Sequence, residues 1–153
     1  MSQDKQFRLI IACGGTGGHI FPAVAMADVL RQKDPDAEIL FAGVFAPAMQ
    51  ALLNDKDYDV CCTKTSAMPR TFNFLVVPFI VKLLFSLKEA FFILKSYLPD
   101  VVLSMGSFSG GPFVVAAKLS GLPVIIHEQN VVPGRANKLS AHFADKIAVS
   151  FAA

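Results

Sequence analysis

Six short apolar runs punctuate the chain, at residues 7–13, 38–42, 58–62, 100–104, 123–127 and 146–149, and the stretches between them carry helical patterning. The runs are continuous rather than alternating, as in Leu9-Ile10-Ile11-Ala12 and Val124-Ile125-Ile126, so they leave no strand face for water. Continuous apolar strands joined by helical crossovers demand parallel pairing, with helices covering both faces of the sheet. Right-handed crossovers then wind the chain to both sides. The expected fold class is α/β, a doubly wound parallel, Rossmann-like sheet in one domain of 153 residues. In the common strand order 3-2-1-4-5-6, strands 1 and 4 are neighbours, and ligands bind in the crevice outside their carboxyl ends. The helices are expected at 21–32, with Pro22 in the first turn, at 46–53, at 73–97, at 112–119 with Gly121 as the stop, and at 134–143.

Two glycine-rich loops fall at that crevice. Gly14-Gly15-Thr16-Gly17-Gly18-His19 follows strand 1, and Gly106-Ser107-Phe108-Ser109-Gly110-Gly111-Pro112 follows strand 4. Such loops let backbone N–H groups gather round an anion at a helix N-terminus. Thr16, Ser107 and Ser109 are expected to offer hydroxyls at the loop tips. With His127-Glu128-Gln129-Asn130 after strand 5, the loops outline a site for a large, multiply charged ligand. The commoner glycine-loop chemistries do not fit. A dinucleotide site wants glycine where Ile20 stands and an acidic residue at the end of strand 2, which here reads Phe41-Ala42-Gly43. A P-loop wants Gly-Lys-Ser/Thr, and the first loop has no lysine.

Hydrophobic residues at 54% and charged residues at 17% argue against disorder, and a net charge of +2 argues against a nucleic-acid partner. The three cysteines, Cys13, Cys61 and Cys62, have neither disulfide nor metal spacing and are expected as small buried groups in a reducing compartment. No metal or cofactor is expected. The opening residues 1–7 are polar and lack a signal-peptide apolar region.

Gly14-Gly15-Thr16-Gly17-Gly18-His19-Ile20-Phe21-Pro22-Ala23 resembles the opening of the MurG family of peptidoglycan N-acetylglucosaminyltransferases. The stretch 99–151 is similar to the same family through Gly121-Leu122-Pro123-Val124, His127-Glu128-Gln129-Asn130, Gly134, Asn137-Lys138 and Ala148-Val149-Ser150-Phe151. The resemblance is faint between residues 44 and 97. It implies the N-terminal, acceptor half of a two-domain GT-B enzyme, with no counterpart of the C-terminal donor domain. The implied reaction moves N-acetylglucosamine from UDP-N-acetylglucosamine to an undecaprenyl-diphosphate-linked muramoyl-pentapeptide, with inversion, at the cytoplasmic face of the cell membrane.

Under this resemblance each element of such a displacement has a candidate. His19 is the candidate base, because a helix N-terminus disfavours positive charge on the ring. Glu128 is a rival base, an orienter of the histidine, or the anchor of its own turn. Thr16, Gly17, Gly18 and Asn130 match positions that contact the UDP-sugar. Gly14, Gly15, Gly106, Ser107, Phe108, Ser109, Gly110 and Gly111 are the candidates for the acceptor diphosphate, although the family pattern is closer to Gly-Gly-Tyr-x-Ser-Gly-Pro. His127 is expected to be a satisfied core group, and His142 a surface or packing residue.

Residues 64–98 hold Lys64, Arg70, Lys82, Lys88 and Lys95 against Glu89 alone, a local excess of +4. Lys82, Ser86, Glu89 and Ser96 recur at helical spacing as a narrow polar stripe beside a wide face of Phe and Leu. The lysine interruptions make a spanning helix a poor fit. Peripheral attachment to an anionic membrane surface through residues 68–92, with Arg70, Phe74, Phe79 and Lys82 in contact, is expected instead. The alternative function is a non-catalytic module that holds the lipid-diphosphate sugar and relies on a separate donor-domain partner, in cis or in trans.

Overall fold

The computed structural model describes residues 6–15, 17–64 and 76–151, with side chains from residue 80 onward in the third helix. The chain runs β1 (Arg8–Ala12), α1 (Gly17–Lys33), β2 (Glu38–Gly43), α2 (Pro47–Asp55), β3 (Asp59–Cys62), α3 (Val76–Tyr97), β4 (Val101–Ser104), α4 (Gly111–Leu119), β5 (Val124–Glu128), α5 (Arg135–Ser140) and β6 (Lys146–Val149). The strands form one parallel sheet, as the apolar runs imply, in the common order β3-β2-β1-β4-β5-β6. Single 3-10 turns at Phe108–Gly110 and Ala141–Phe143 complete the second loop and the end of α5.

Strand β1 divides the core between two layers. Leu9, Ile11 and Cys13 pack with Ile20, Ala23, Val24 and Ala27 of α1 and Leu53 of α2. Ile10 and Ala12 point the other way, onto Ala90, Ile93 and Leu94 of α3 and Phe113, Val114 and Ala117 of α4. This is the period of two that makes a central strand apolar on both faces. Ile10 and Ile11 are fully buried, each contributing roughly 1.5–3 kcal/mol of transfer free energy. The Asp100 carboxylate accepts from the Arg8 N–H at 2.9 Å and ties the entry of β4 to the start of β1.

Three expectations change. First, α1 starts at Gly17, so Pro22 sits inside the helix rather than in its first turn. Gly15 makes the early start feasible: its φ of +83° closes the turn in a region that other residues rarely adopt. Proline has no N–H, so the carbonyl of Gly18 loses its helical donor. Second, Cys13 is buried, but Cys61 is only partly so and Cys62 is exposed, because β3 is an edge strand with open residues at both ends. Third, helices cover the central strands but not β6, whose four residues are all exposed.

Candidate functional site

The loops that leave the carboxyl ends of β1, β4 and β5 meet at one end of the sheet. In the first loop, the Gly15 N–H donates to the Val44 carbonyl at 2.8 Å. Gly14 is buried in a close approach of three backbone segments. A Cβ there would lie 2.6 Å from Ser109 Oγ and 2.9 Å from the Val44 nitrogen. Gly17 and Gly18 open α1, where the first four N–H groups of a helix have no intrahelical partner and face incoming anions. Gly18 is exposed and Gly17 half-buried. Thr16 lies outside the described residues.

The second loop corrects an expectation. Ser107 and Ser109 are buried rather than at a tip. Their hydroxyls bond each other at 2.8 Å, and Ser109 Oγ donates to the Cys13 carbonyl at 3.3 Å. They stitch the second loop to the first. Gly110 is also packed inward, where a Cβ would lie 2.8 Å from Ser104 Oγ. The Gly110 and Gly111 N–H groups are used within the loop, on the Ser107 and Phe108 carbonyls. Of the residues expected around a diphosphate, Gly15, Gly106, Phe108 and Gly111 reach the surface, whereas Gly14, Ser107, Ser109 and Gly110 hold the two loops together.

The segment after β5 is organised by Glu128, which is only 4% exposed. Its carboxylate accepts from the Asn130 N–H at 2.8 Å, Asn130 Nδ2 at 2.9 Å, the Gly134 N–H at 3.1 Å and Asn137 Nδ2 at 2.7 Å. Burial alone raises the carboxyl pKa, but these four hydrogen bonds together outweigh it and hold the group below its ordinary range. Glu128 therefore ties down the 128–134 turn, one of the roles expected of it. It does not orient His19. That work falls to the Met105 carbonyl, 2.8 Å from His19 Nδ1, and to the Gln129 amide, which lies against the same nitrogen. Asn130 is exposed while its amide stays bonded to Glu128. His127 is not a fully satisfied core group: Nε2 meets Ser150 Oγ at 3.1 Å, but Nδ1 is buried without a partner. Its burial lowers the ring's pKa, against the opposing charge of Glu128. His142 is exposed, as expected.

Glu128 carries a pH dependence of stability. A carboxyl with a depressed folded-state pKa stabilises fully above its unfolded value, near ~4.3, and loses that stabilisation as pH falls through the folded value. Glu128→Gln is expected to cost about 1–3 kcal/mol at neutral pH, because it turns an amide donor onto groups that can only donate. Urea unfolding between pH 7 and pH 3 checks this. The gap between parent and variant narrows below pH ~4 if the carboxylate is the source. A gap that is constant with pH assigns the loss to packing.

Gln129, Asn137 and Met105 escaped selection as site residues. The first two lie within motifs that are visible in the sequence, next to residues whose chemistry is more conspicuous. Met105 acts through its backbone, which leaves no trace in residue type. Gly106, with a φ of +82°, sits so close to the Asn137 amide that a Cβ would fall 2.6 Å from Asn137 Cγ. Among the described residues, no cluster of three or more His, Cys, Asp or Glu side chains is placed to hold a metal ion.

On α3 the polar stripe is exposed at Lys82 and Ser96 but turns inward at its centre. Ser86 is buried and Glu89 half-buried, with its carboxylate accepting from the Lys64 N–H at 3.3 Å. The water-facing side is apolar instead: Leu84 is 60% exposed, Phe85 69% and Phe92 73%. Lys82, Lys88 and Lys95 are exposed on the same helix. No described helix is long and apolar enough to cross a membrane. Arg70 and Phe74, and the side chain of Phe79, lie outside the described residues.

The profile of the glycosyltransferase family 28 N-terminal domain matches residues 9–149. The chain is 39% identical over 144 residues to the UDP-N-acetylglucosamine–N-acetylmuramyl-(pentapeptide) pyrophosphoryl-undecaprenol N-acetylglucosamine transferase of Alkaliphilus metalliredigens, covering 94% of this chain and 39% of that protein. The same-named protein of Shewanella pealeana is 38% identical over 98% of this chain and 40% of its own length. The chain thus spans about two fifths of these curated relatives. The crystal structure of Acinetobacter baumannii MurG superposes with a TM-score of 0.77 at 27% identity, over 95% of this chain and 41% of that one. A UDP-N-acetylglucosamine 2-epimerase, at a TM-score of 0.66 and 15% identity over 94% of this chain and 42% of its own, shares the fold.

Proposed function

Because the chain belongs to the glycosyltransferase family 28 N-terminal domain family, we propose that it forms the acceptor-side half of a transferase. That enzyme moves N-acetylglucosamine from its UDP donor to a muramoyl-pentapeptide carried on undecaprenyl diphosphate, in peptidoglycan synthesis. The observation that carries this reading is His19. It stands in the first turn of α1 at the β1–β4 switch point, with Nδ1 engaged by Met105 and no described group on Nε2.

In this reading Nε2 takes the proton from the acceptor hydroxyl. The hydroxyl oxygen bonds to the anomeric carbon of the sugar, and the bond from that carbon to UDP breaks with inversion. General-base assistance of this kind contributes about 10²–10⁴-fold. The N–H groups at the start of α1, at Gly17 and Gly18, face the acceptor diphosphate and the near side of the UDP-sugar, and Gly15, Gly106 and Gly111, whose own N–H groups are used within the loops, shape the surface beside them. Asn130 lies at the edge of this crevice, and Thr16 retains its assignment to the donor. Glu128 keeps the turn in place and is not the base, since each of its oxygens already accepts two hydrogen bonds that would have to yield for that oxygen to take a proton. The donor half of the cleft comes from polypeptide outside these 153 residues, in cis or in trans. The chain alone is therefore expected to give no detectable transfer to the lipid acceptor, and transfer is expected to appear when a donor half from a relative is joined or added. Transfer by the chain alone would overturn the half-site reading.

The exposed apolar side of α3, with Lys82, Lys88 and Lys95 along it, supports peripheral attachment to an anionic bilayer. Buried apolar area and cationic attraction add in that arrangement, and each lysine near the surface contributes about 1 kcal/mol. Reversing Lys82 and Arg70 to glutamate is expected to release most of the protein from anionic vesicles in flotation, while neutral vesicles bind little of either form. Unchanged flotation by the reversed variant would end this reading.

A further inference from the structure

Two groups meet at His19 Nδ1, and only one proton arrangement accommodates both. The Met105 carbonyl, 2.8 Å away, can only accept, so Nδ1 must carry a hydrogen. The Gln129 amide lies against the same nitrogen with Nε2 as its nearer atom. An amide N–H directed at an N–H is repulsive. The amide oxygen of Gln129, meanwhile, is buried with no partner. The nitrogen and oxygen ends of an amide have the same shape, so which is which follows from the hydrogen-bond network. Turning the Gln129 amide by half a revolution removes the opposition at the histidine: Oε1 then accepts from Nδ1–H, and Nε2 takes the buried place that the oxygen held.

The geometry points to Gln129 as the residue that positions the proton of His19, by sharing Nδ1–H with the Met105 carbonyl and so leaving the lone pair on Nε2. Its own place is secured on both sides. Glu128 before it and Asn130 after it are joined through the Glu128 carboxylate, which also takes the Gly134 and Asn137 donors. The backbone of the 128–130 turn is thus held while the Gln129 side chain reaches 110 residues back along the sequence to α1. A histidine needs such a partner to act as a base through one chosen nitrogen, because which nitrogen is free is set by the hydrogen bond that the other makes. Two acceptors on Nδ1 fix both the tautomer and the plane of the ring. The inference deepens the reading of His19 as the base and rests on it, but it concerns the ring alone.

Ring nitrogen spectra of the 15N-labelled chain test it, with the three histidines assigned by a His19→Ala sample. The parent is expected to show His19 with Nδ1 protonated and Nε2 bare. Gln129→Leu keeps the bulk and removes the acceptor. It is expected to lower the ratio of Nδ1–H to Nε2–H forms about fivefold, the equivalent of one net hydrogen bond. Gln129→Glu restores an acceptor and is expected to restore the parent ratio, which a purely space-filling role would not do. A parent ring protonated on Nε2 overturns the inference without any variant. So does a leucine variant with the parent ratio, or a glutamate variant that behaves as the leucine one. Sugar transfer is not the readout, so each of these outcomes leaves the base assignment to its own test. Normal transfer by a His19→Ala enzyme would remove the base and leave the proton position as measured.

Discussion

Replacing His19 with alanine, in a polypeptide that carries both halves of the cleft, is expected to lower kcat for sugar transfer about 10²–10⁴-fold, the range for loss of a positioned general base. KM for either substrate is expected to change little, because the anion contacts proposed for the backbone N–H groups of Gly17 and Gly18 do not depend on the imidazole. The variant leaves helix α1 intact: alanine is a better helix former than histidine, and His19 is only half-buried. Steady-state transfer to a lipid-linked acceptor separates the two parameters. Turnover within a few-fold of the parent would take the base role away from His19. A matched rise in KM at constant kcat would make the ring a binding group.

Substituting Gly43 with alanine is expected to be the most damaging single change to the fold. Gly43 ends β2 at a φ of +152°, and a Cβ there would collide with the backbone carbonyl of Cys13. Backbone cannot step aside as a flexible side chain can, and both segments are committed. The Cys13 N–H donates to the Ala42 carbonyl at 3.0 Å, and the Gly43 carbonyl accepts from Thr63 at 2.7 Å. Overpacking and backbone strain at about 1–3 kcal/mol each give a loss of roughly 3–4 kcal/mol. With a urea m-value of about 1–3 kcal/mol/M, the midpoint falls by about 1–4 M. Gly15→Ala is the control. Its φ of +83° is strained for alanine, but nothing lies within 4 Å of the added Cβ, so its cost is about 1–2 kcal/mol. Similar losses at the two positions would refute the collision as the cause.

The particular residues show how much of this was legible in sequence. The apolar runs at 7–13 and 123–127 had to be central strands, because a continuous apolar stretch of that length has no place for water on either face. The glycine loops after strands 1 and 4 are neighbours in the common strand order 3-2-1-4-5-6, an order expected by analogy that the sheet adopts. The run at 146–149 looked no different, yet the four residues of β6 are exposed at the edge of the sheet. The serines of the second loop were read by composition as offered to a ligand. In the fold they face the first loop, because burying a hydroxyl is tolerated where another hydroxyl and a carbonyl meet it. Glu128 and Gln129 exchanged importance for a similar reason. The carboxylate had the more conspicuous chemistry, but four donors converge on it, and the less conspicuous amide reaches the histidine.

Residue order alone determined the strands, their parallel pairing and the glycine loops after two of them, because hydrophobic period and glycine conformation are local properties carried by each segment; the strand order that brings those loops to one crevice is a property of the folded sheet. Which polar groups face that crevice, and which are used to hold it shut, was decided only by the tertiary structure. The partners of Ser109 and His19 come from segments 86 to 110 residues away, and a hydrogen bond across that distance has no signature in the sequence between.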